Sequence, residues 1–568
     1  MFTFELNFLL SVILACLGLV FFKNKMPRQL FKAGFVVIPL ISFIIFCKEN
    51  LGLIESNVVF LIAYFGAAWV FVCYTRLPKL IIRMQDTCEV RKFFTAIYFV
   101  VQFILFLCLL TIPWAGEMFQ LNNTDAVLFT LFAPIDGSGE FVIKSFVDYV
   151  LTNGAFFFLL IIVLQLVFAT FLYRKRLFSV KLNVISRYVV QFLFGSVCCF
   201  LILVPSVLHS QSFVALFEES IDSEFYKRNY VMPSTIDVQV QPRNKNLIVL
   251  FLESMSNNFR SYTPELNEWS KQGANFEPGA ESVAGTSWTI AGITAALCGI
   301  PLNLPMNINE YHGRLPTYLP GADCITDLLK KNSYNQIYIQ GSSGKFTQKD
   351  LFLESHGNVK LFDDSLIKEM ENIPKEYKVF WGVEDKKVFD FAKKQLDSLS
   401  KLSDPFATFI LTVNTHQPNG YVDDACMKTE KNGMQNALRC SSFQIDELLR
   451  WITNQSWYNN TVVMVAGDHT LQLVAEKVGL PLDEHLYTMS FFLNVPQEGV
   501  ELSRHYSNLD LAPSILEAMG WQLPSHGFGL GRSLFSKEQT MLEIYGLDSL
   551  NFLLRQRSIQ YDKFMSAK

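Results

Sequence analysis

The 568-residue chain has few ionisable residues in its first third, no excess of positive charge and no CxxC spacing among its later cysteines. Each shortage excludes something. A formal net charge of −4 leaves no electrostatic footprint for a nucleic-acid partner. Apolar runs almost free of Asp, Glu, Lys and Arg argue against a proton relay, an ion pathway or a voltage sensor, so a transporter is a poor reading. Of the eleven cysteines, the seven from Cys16 to Cys199 lie mostly in apolar segments, where Cys behaves as a small hydrophobe. The other four, Cys298, Cys324, Cys426 and Cys440, lack the spacing of a zinc cage. If their part of the chain lies outside the cytoplasm, two disulfides are expected, with Cys298–Cys324 and Cys426–Cys440 as the sequence-local pairing.

What is abundant is apolar. Hydrophobic residues make up 50% of the chain and 52 of its residues are Phe, with a mean hydropathy of +0.25. Six apolar segments precede residue 210, at roughly 4–22, 33–47, 57–74, 94–114, 154–173 and 188–208. Most are long enough to cross about 30 Å of hydrocarbon, and 33–47 is the shortest. Basic loops follow the first (Lys23, Lys25, Arg28, Lys32), the third (Arg76, Lys79, Arg83, Arg91, Lys92) and the fifth (Arg174, Lys175, Arg176, Lys181, Arg187). The positive-inside rule puts those loops in the cytoplasm and everything after about residue 210 outside it. The expected organisation is a transmembrane domain of about six helices at 1–209, a linker or neck at 210–244 and an extracytoplasmic domain at 245–568.

Beyond the neck, short β-rich runs alternate with amphipathic ones. The runs are 246–252, Gln336–Gln340, Phe406–Val413, Thr461–Ala466 and Met489–Asn494, with helical patterns such as Asp385–Leu399 and Cys440–Asn454 between them. That alternation predicts an α/β domain with a mostly parallel central sheet. The stretch NLIVLFLESMSNNF is the clearest case, an unbroken apolar run that stops at Glu253. Such a run reads as a fully buried parallel strand, and open α/β sheets bind ligands beyond the carboxyl ends of their strands. Glu253 is therefore either a helix cap or a ligand.

Two other predicted strands end in chemistry. VVMVAGDHT puts Asp468 and His469 just after one, and FILTVNTHQP puts His416 just after another. Carboxylate and imidazole donors from successive strand ends form a candidate metal site. A hydroxyl is supplied by ESVAGTSWTIAGITAALCGIPLN, where Thr286 or Ser287 precedes a helix-compatible run. A hydroxyl at a helix N-terminus benefits from the dipole and the free N–H groups, and a metal would make it a usable alkoxide. On spacing alone, Thr286 is equally well the cap of that helix.

Together, the Glu253 run, GTSWTIAGITAALCGIPL, THQP, VAGDHT and DLAPSILEAMG…GLGRSLF resemble the sulfatase-type alkaline-phosphatase superfamily over about 245–535. Within it they resemble the membrane-anchored branch of lipoteichoic-acid synthases, phosphoglycerol transferases and phosphoethanolamine transferases, and the phosphoglycerol transferases most. The resemblance implies a bacterial inner-membrane enzyme with its catalytic domain in the periplasm. It implies Glu253, Asp468 and His469 as ligands of a divalent cation, Mn²⁺ or Zn²⁺ with Mn²⁺ preferred, and Thr286 as fourth ligand and nucleophile. It gives His416 the task of binding or protonating the phosphate group. The donor would be phosphatidylglycerol, the acceptor an extracytoplasmic glycan and the intermediate a phosphoglycerol-threonine. Substrate contacts would come from Phe346, Lys349 and Trp288. Synthases carry Phe-Trp-Asn-Arg-Asp where this chain has Phe346-Thr347-Gln348-Lys349-Asp350, and replacing Arg by Lys349 removes a bidentate phosphate contact. A phosphoethanolamine transferase acting on lipid A or a glycan is the alternative, although those enzymes are richer in disulfides. A non-catalytic membrane-anchored binding protein is the non-enzymatic one. A sulfatase proper needs a Cys or Ser in a C/S-x-P-x-R context, which Thr286-Ser287-Trp288-Thr289 does not provide.

Overall fold

The computed structural model describes residues 223–232 and 245–565, apart from 304–316 and the positions 418, 431, 471, 482–483 and 557, together with Trp114 and 146–154. The six apolar segments lie outside the described residues, save for Trp114 and 154 at their edges. Among the described residues no helix is long and apolar enough to cross a membrane. The chain divides into two compact units, and Ser220–Lys568 belongs to the second.

That unit is built on one seven-stranded sheet. Its strands are β1 (Asn246–Leu252), β2 (Ala274–Asn275), β3 (Asn335–Gln340), β4 (Lys360–Phe362), β5 (Phe406–Leu411), β6 (Thr461–Gly467) and β7 (Ser490–Leu493). Their spatial order is β2-β7-β6-β1-β5-β3-β4. The pairs joining β6, β1, β5, β3 and β4 are all parallel, whereas β7 runs antiparallel to both β6 and β2. The sheet is therefore α/β and mostly parallel, with an antiparallel edge. The predicted runs match the observed strands to within a residue or two. The three-residue β4 and two-residue β2 carry too little pattern to be read in advance.

Every residue of β1 is buried, and so is every residue of β6. Both faces of these central strands are covered, which is why their sequences are continuous apolar runs and not alternating ones. On one face, Ile248, Leu250, Leu252, Ile337, Ile339 and Ile410 pack against α2 (Pro264–Ser270), α6 (Asp385–Leu399) and α7 (Gly433–Thr453). α1 (Glu224–Asn229) precedes β1, and α3 (Thr289–Cys298), α4 (Ile325–Lys331) and α5 (Lys349–Ser355) lie between α2 and α6 in the chain. The apolar positions of α6 and α7 recur at helical spacing, and both helices bury that stripe.

Two disulfides are present, Cys298–Cys324 and Cys426–Cys440, the sequence-local pairing. The first joins the C-terminal end of α3 to the residue that precedes α4.

Candidate metal and transfer site

β1 and β6 are neighbours in parallel register, with Leu252 opposite Gly467. The residues after each strand, Glu253 on one and Asp468–His469 on the other, therefore meet at the same sheet edge. Their ligand atoms all lie within 4.8 Å of one another. Nε2 of His469 is 3.5 Å from Oε1 of Glu253 and 3.7 Å from Oδ2 of Asp468. All three side chains are buried.

The backbone around them is held tightly. Glu253 donates its N–H to Oγ1 of Thr412 at 2.9 Å, and its carbonyl accepts from Oγ1 of Thr415 at 2.6 Å. Ser254 adopts a left-handed φ of 53°, donates its N–H to Oδ1 of Asp468 at 2.8 Å and its hydroxyl to Oε1 of Glu253 at 2.7 Å. The N–H of His469 also donates to Oδ1 of Asp468 at 2.8 Å. The carbonyl of Asp468 accepts from Nδ2 of Asn508 at 2.8 Å. One oxygen of Asp468 is thus engaged by two N–H groups. The other, Oδ2, is buried with no hydrogen-bond partner among the described residues.

The electrostatics tell the same story. Burial works against charge on Glu253, but the adjacent His416 and His469 outweigh it and hold its carboxyl down to about 2. Burial and repulsion from Glu253 push Asp468 up to about 7. Burial would lower His469, but the two carboxylates raise it to about 9. Two carboxylates forced together without a cation keep a proton between them. A buried orphan oxygen, a second carboxylate and an imidazole fit a divalent cation such as Zn²⁺ or Mn²⁺. His469 further fits because Nδ1 lies 3.0 Å from the carbonyl of Thr470, which fixes the tautomer and leaves Nε2 free to ligate. A second group, Cys324, Asp327 and His356, is equally compact, but Cys324 is tied to Cys298 and offers no thiolate.

His416 follows β5 and lies close enough to Glu253 and His469 for their charges to act on it. Its Nδ1 is 2.9 Å from the carbonyl of Gln417, again leaving Nε2 for other work. Its ring rests on Trp381 at 4.5 Å between centroids. Lys349 is buried at the start of α5, and its ammonium donates to the carbonyl of Phe346 at 3.0 Å and to Oγ1 of Thr347 at 3.3 Å. Burial lowers it to about 8 against the pull of Glu253 and Asp468. Phe346 packs its ring on Trp381 at 5.5 Å. The structure thus gathers His416, Lys349 and Phe346 around the carboxylates or the tryptophan beside them.

Thr286 is placed differently. Its hydroxyl donates to the carbonyl of Val283 at 2.8 Å and accepts from the N–H of Val283 at 3.1 Å, closing a turn over Gly285. It is 1% exposed. The helix-compatible run that follows begins its helix at Thr289, with Trp288 as the N-cap residue. The indole Nε1 of Trp288 is buried without a hydrogen-bond partner among the described residues. Thr289 Oγ1 lies 3.4 Å from Oε2 of Glu253.

Sequence reasoning missed several contributors. Asp385 opens α6 and accepts the N–H groups of Val413 and Asn414 at 2.8 and 3.0 Å, fixing the loop that carries His416. An acidic residue in a first helical turn is an ordinary helix signal, so nothing in the sequence marked it. Thr412, Thr415, Asn508 and Trp381 were equally silent, because their roles depend on segments far away in the chain.

Residues 245–521 match the sulfatase family. With this sheet, they form a sulfatase-like α/β domain. The chain is similar to phosphoglycerol transferase I of Escherichia coli strain 55989, at 31% identity over 313 residues, covering 53% of this chain and 40% of that one. The namesake from Citrobacter koseri is 30% identical over the same shares. The chain thus spans less than half the length of the curated relatives it matches. Among solved structures, the lipoteichoic acid synthase LtaP from Listeria monocytogenes is 17% identical, covering 56% of this chain and 82% of that one, with a TM-score of 0.44.

Proposed function

We propose that this protein is a metal-dependent phospholipid head-group transferase of the inner membrane. It moves the phosphoglycerol of phosphatidylglycerol to a hydroxyl of an extracytoplasmic glycan through a covalent threonine intermediate. In this reading 1–209 spans the membrane, 210–244 is a neck and 245–568 is the catalytic domain on the periplasmic side. The observation that carries it is the buried Glu253–Asp468–His469 group, with its orphan oxygen, beside a helix N-terminus bearing hydroxyls. The names of the curated relatives support the phosphoglycerol donor.

Glu253, Asp468 and His469 would hold the cation, Mn²⁺ in preference to Zn²⁺. When bound, it would neutralise phosphate charge and acidify the attacking hydroxyl. That hydroxyl comes from the segment between Gly285 and Thr289. Thr286 is the residue nominated by the sequence pattern, and it would act after turning away from Val283. The free Nε2 of His416 would give a proton to the departing diacylglycerol oxygen and take one from the acceptor hydroxyl in the second half-reaction. Lys349 would set a positive charge beside the phosphate as a point charge, with Phe346 and Trp288 lining the head-group path. Asp385 holds the His416 loop in place for that exchange.

The test supplies the full chain, in detergent with a glucan acceptor, with head-group-labelled phosphatidylglycerol and phosphatidylethanolamine in parallel. Label should reach the acceptor from phosphatidylglycerol, and a chelator should stop it. Transfer from phosphatidylethanolamine alone, or full transfer in chelator, defeats the reading.

A further inference from the structure

We infer that Thr415 is a positioning residue whose hydroxyl locks the turn carrying Glu253 and so sets how tightly the divalent cation is held, a role that rests on the metal reading above. Glu253 and Ser254 are the two central residues of a tight turn leaving β1, closed by the N–H of Met255 on the carbonyl of Leu252 at 3.4 Å. Ser254 has a φ of 53° there, whereas that of Glu253 is negative. That combination is the type II form, whose third position ordinarily takes Gly or Asn because a side chain is strained at positive φ. The type I form suits serine better and differs by a flip of the one peptide between Glu253 and Ser254.

Both polar atoms of that peptide are held against the flip. Its carbonyl accepts the Thr415 hydroxyl at 2.6 Å, and its N–H donates to Oδ1 of Asp468 at 2.8 Å. In the same conformation the Ser254 hydroxyl reaches Oε1 of Glu253 at 2.7 Å. A flipped peptide would turn its carbonyl oxygen toward Oδ1 of Asp468, which would then keep the N–H of His469 alone. The orientation of one peptide therefore bears on two of the three candidate ligands.

Thr415 is itself fixed. The pairing of β1 with β5 ends where the N–H of Thr412 donates to the carbonyl of Phe251 at 3.0 Å. Beyond that point hydroxyls replace the ladder, Thr412 on the N–H of Glu253 and Thr415 on its carbonyl. Asp385 pins the N–H groups of Val413 and Asn414 between them, and the N–H of His416 closes on the carbonyl of Val413 at 3.0 Å. Thr415 is buried, so solvent does not compete for the Glu253 carbonyl. It acts through the ligands, and supports of this kind are worth about 10–100-fold in metal affinity.

The experiment titrates the full chain in detergent with Mn²⁺ by calorimetry at one pH, and measures its melting temperature without metal. Thr415→Val, close in shape, should weaken Mn²⁺ binding about 10–100-fold. Thr415→Ser keeps the hydroxyl and should stay within about threefold of wild type. Thr415→Ala leaves room for a water on the carbonyl and should fall between the two; it carries the test if the valine variant does not fold. Thr263→Val removes another buried hydroxyl–carbonyl bond, to Phe259 at 3.2 Å, and should lower the melting temperature while leaving Mn²⁺ affinity unchanged. Valine and alanine variants that bind as tightly as wild type, a serine variant as weak as valine, or an equal loss in Thr263→Val overturns this role and leaves the transferase reading standing. A wild type that binds neither Mn²⁺ nor Zn²⁺ defeats the metal reading and this role with it.

Discussion

Replacing Gly292 by alanine sets two effects of opposite sign against each other. In an ordinary helix interior, Gly→Ala gains about 1 kcal/mol. Here the new methyl would sit 1.9 Å from the carbonyl oxygen of Asp468 and 2.8 Å from its carbonyl carbon. The obstructing atoms are backbone, fixed by the N–H of Asp468 on Leu252 and by Asn508 on the carbonyl. No rotamer change relieves the clash, so α3 and the end of β6 must part by about 1 Å. Overpacking of this kind costs about 1–3 kcal/mol, so the clash outweighs the helix gain and the variant should be about 1–2 kcal/mol less stable. The same movement stretches the 3.4 Å contact between Thr289 and Glu253 beyond hydrogen-bond range. A misplacement of that size costs about 100-fold in a positioned reaction. The assay is thermal unfolding of the detergent-purified full chain with and without Mn²⁺, alongside head-group transfer. A variant with an unchanged or raised melting temperature and undiminished transfer would refute the packing argument.

Three further outcomes can be checked. Asp468 and His469 must each give up a proton to ligate, and both are held high, so metal affinity should rise with pH from 6 to 8; below their values of about 7 and 9 each proton displaced contributes about tenfold per pH unit, and titration calorimetry giving equal affinities at the two pH values would contradict it. Glu543→Gln should destabilise by about 2 kcal/mol in denaturant melts, because buried Arg504 loses its two-pronged partner and keeps only the carbonyls of Ser536 and Glu538. Burial opposes charge on Glu543 but Arg504 and the local N–H groups lower its pKa, so its contribution is complete above the unfolded value and fades as pH falls through the folded one; the gap between wild type and variant should close in acid. Replacing both Cys426 and Cys440 by Ser, a loop closed across 14 residues, should lower stability by about 3 kcal/mol, read as the difference between the oxidised wild type and the variant.

The strand ends were legible because burial on both faces forces central parallel strands to be continuous apolar runs, so the first polar residue after each marks the sheet edge. That is why Glu253, Asp468–His469 and His416 could be nominated together from NLIVLFLES, VAGDHT and NTHQP. The helix start after Gly285 was legible too, but only to within a turn. Three residues on a helix start decide which hydroxyl faces the carboxylates, and sequence spacing does not say where the turn before the helix closes. The turn here closes on Val283, which takes Thr286 with it. Asp385 was invisible for another reason: its partners, Val413 and Asn414, lie 28 and 29 residues away.

The central strand that leads into Glu253 is also the earliest strand of the sheet to be synthesised. Its partner on one side begins at Phe406, 160 residues later, and on the other at Thr461, 215 residues later. At about 5–20 residues per second, six consecutive apolar residues wait about 8 to 32 seconds for the first neighbour. During that interval NLIVLFL is an unpaired, uncharged β-segment of the kind that associates with other chains. Folding of this domain therefore has a built-in delay at its most hazardous sequence. Holding chaperones that mask residues 246–252 until β5 and β6 emerge should raise its yield more than any that act after synthesis.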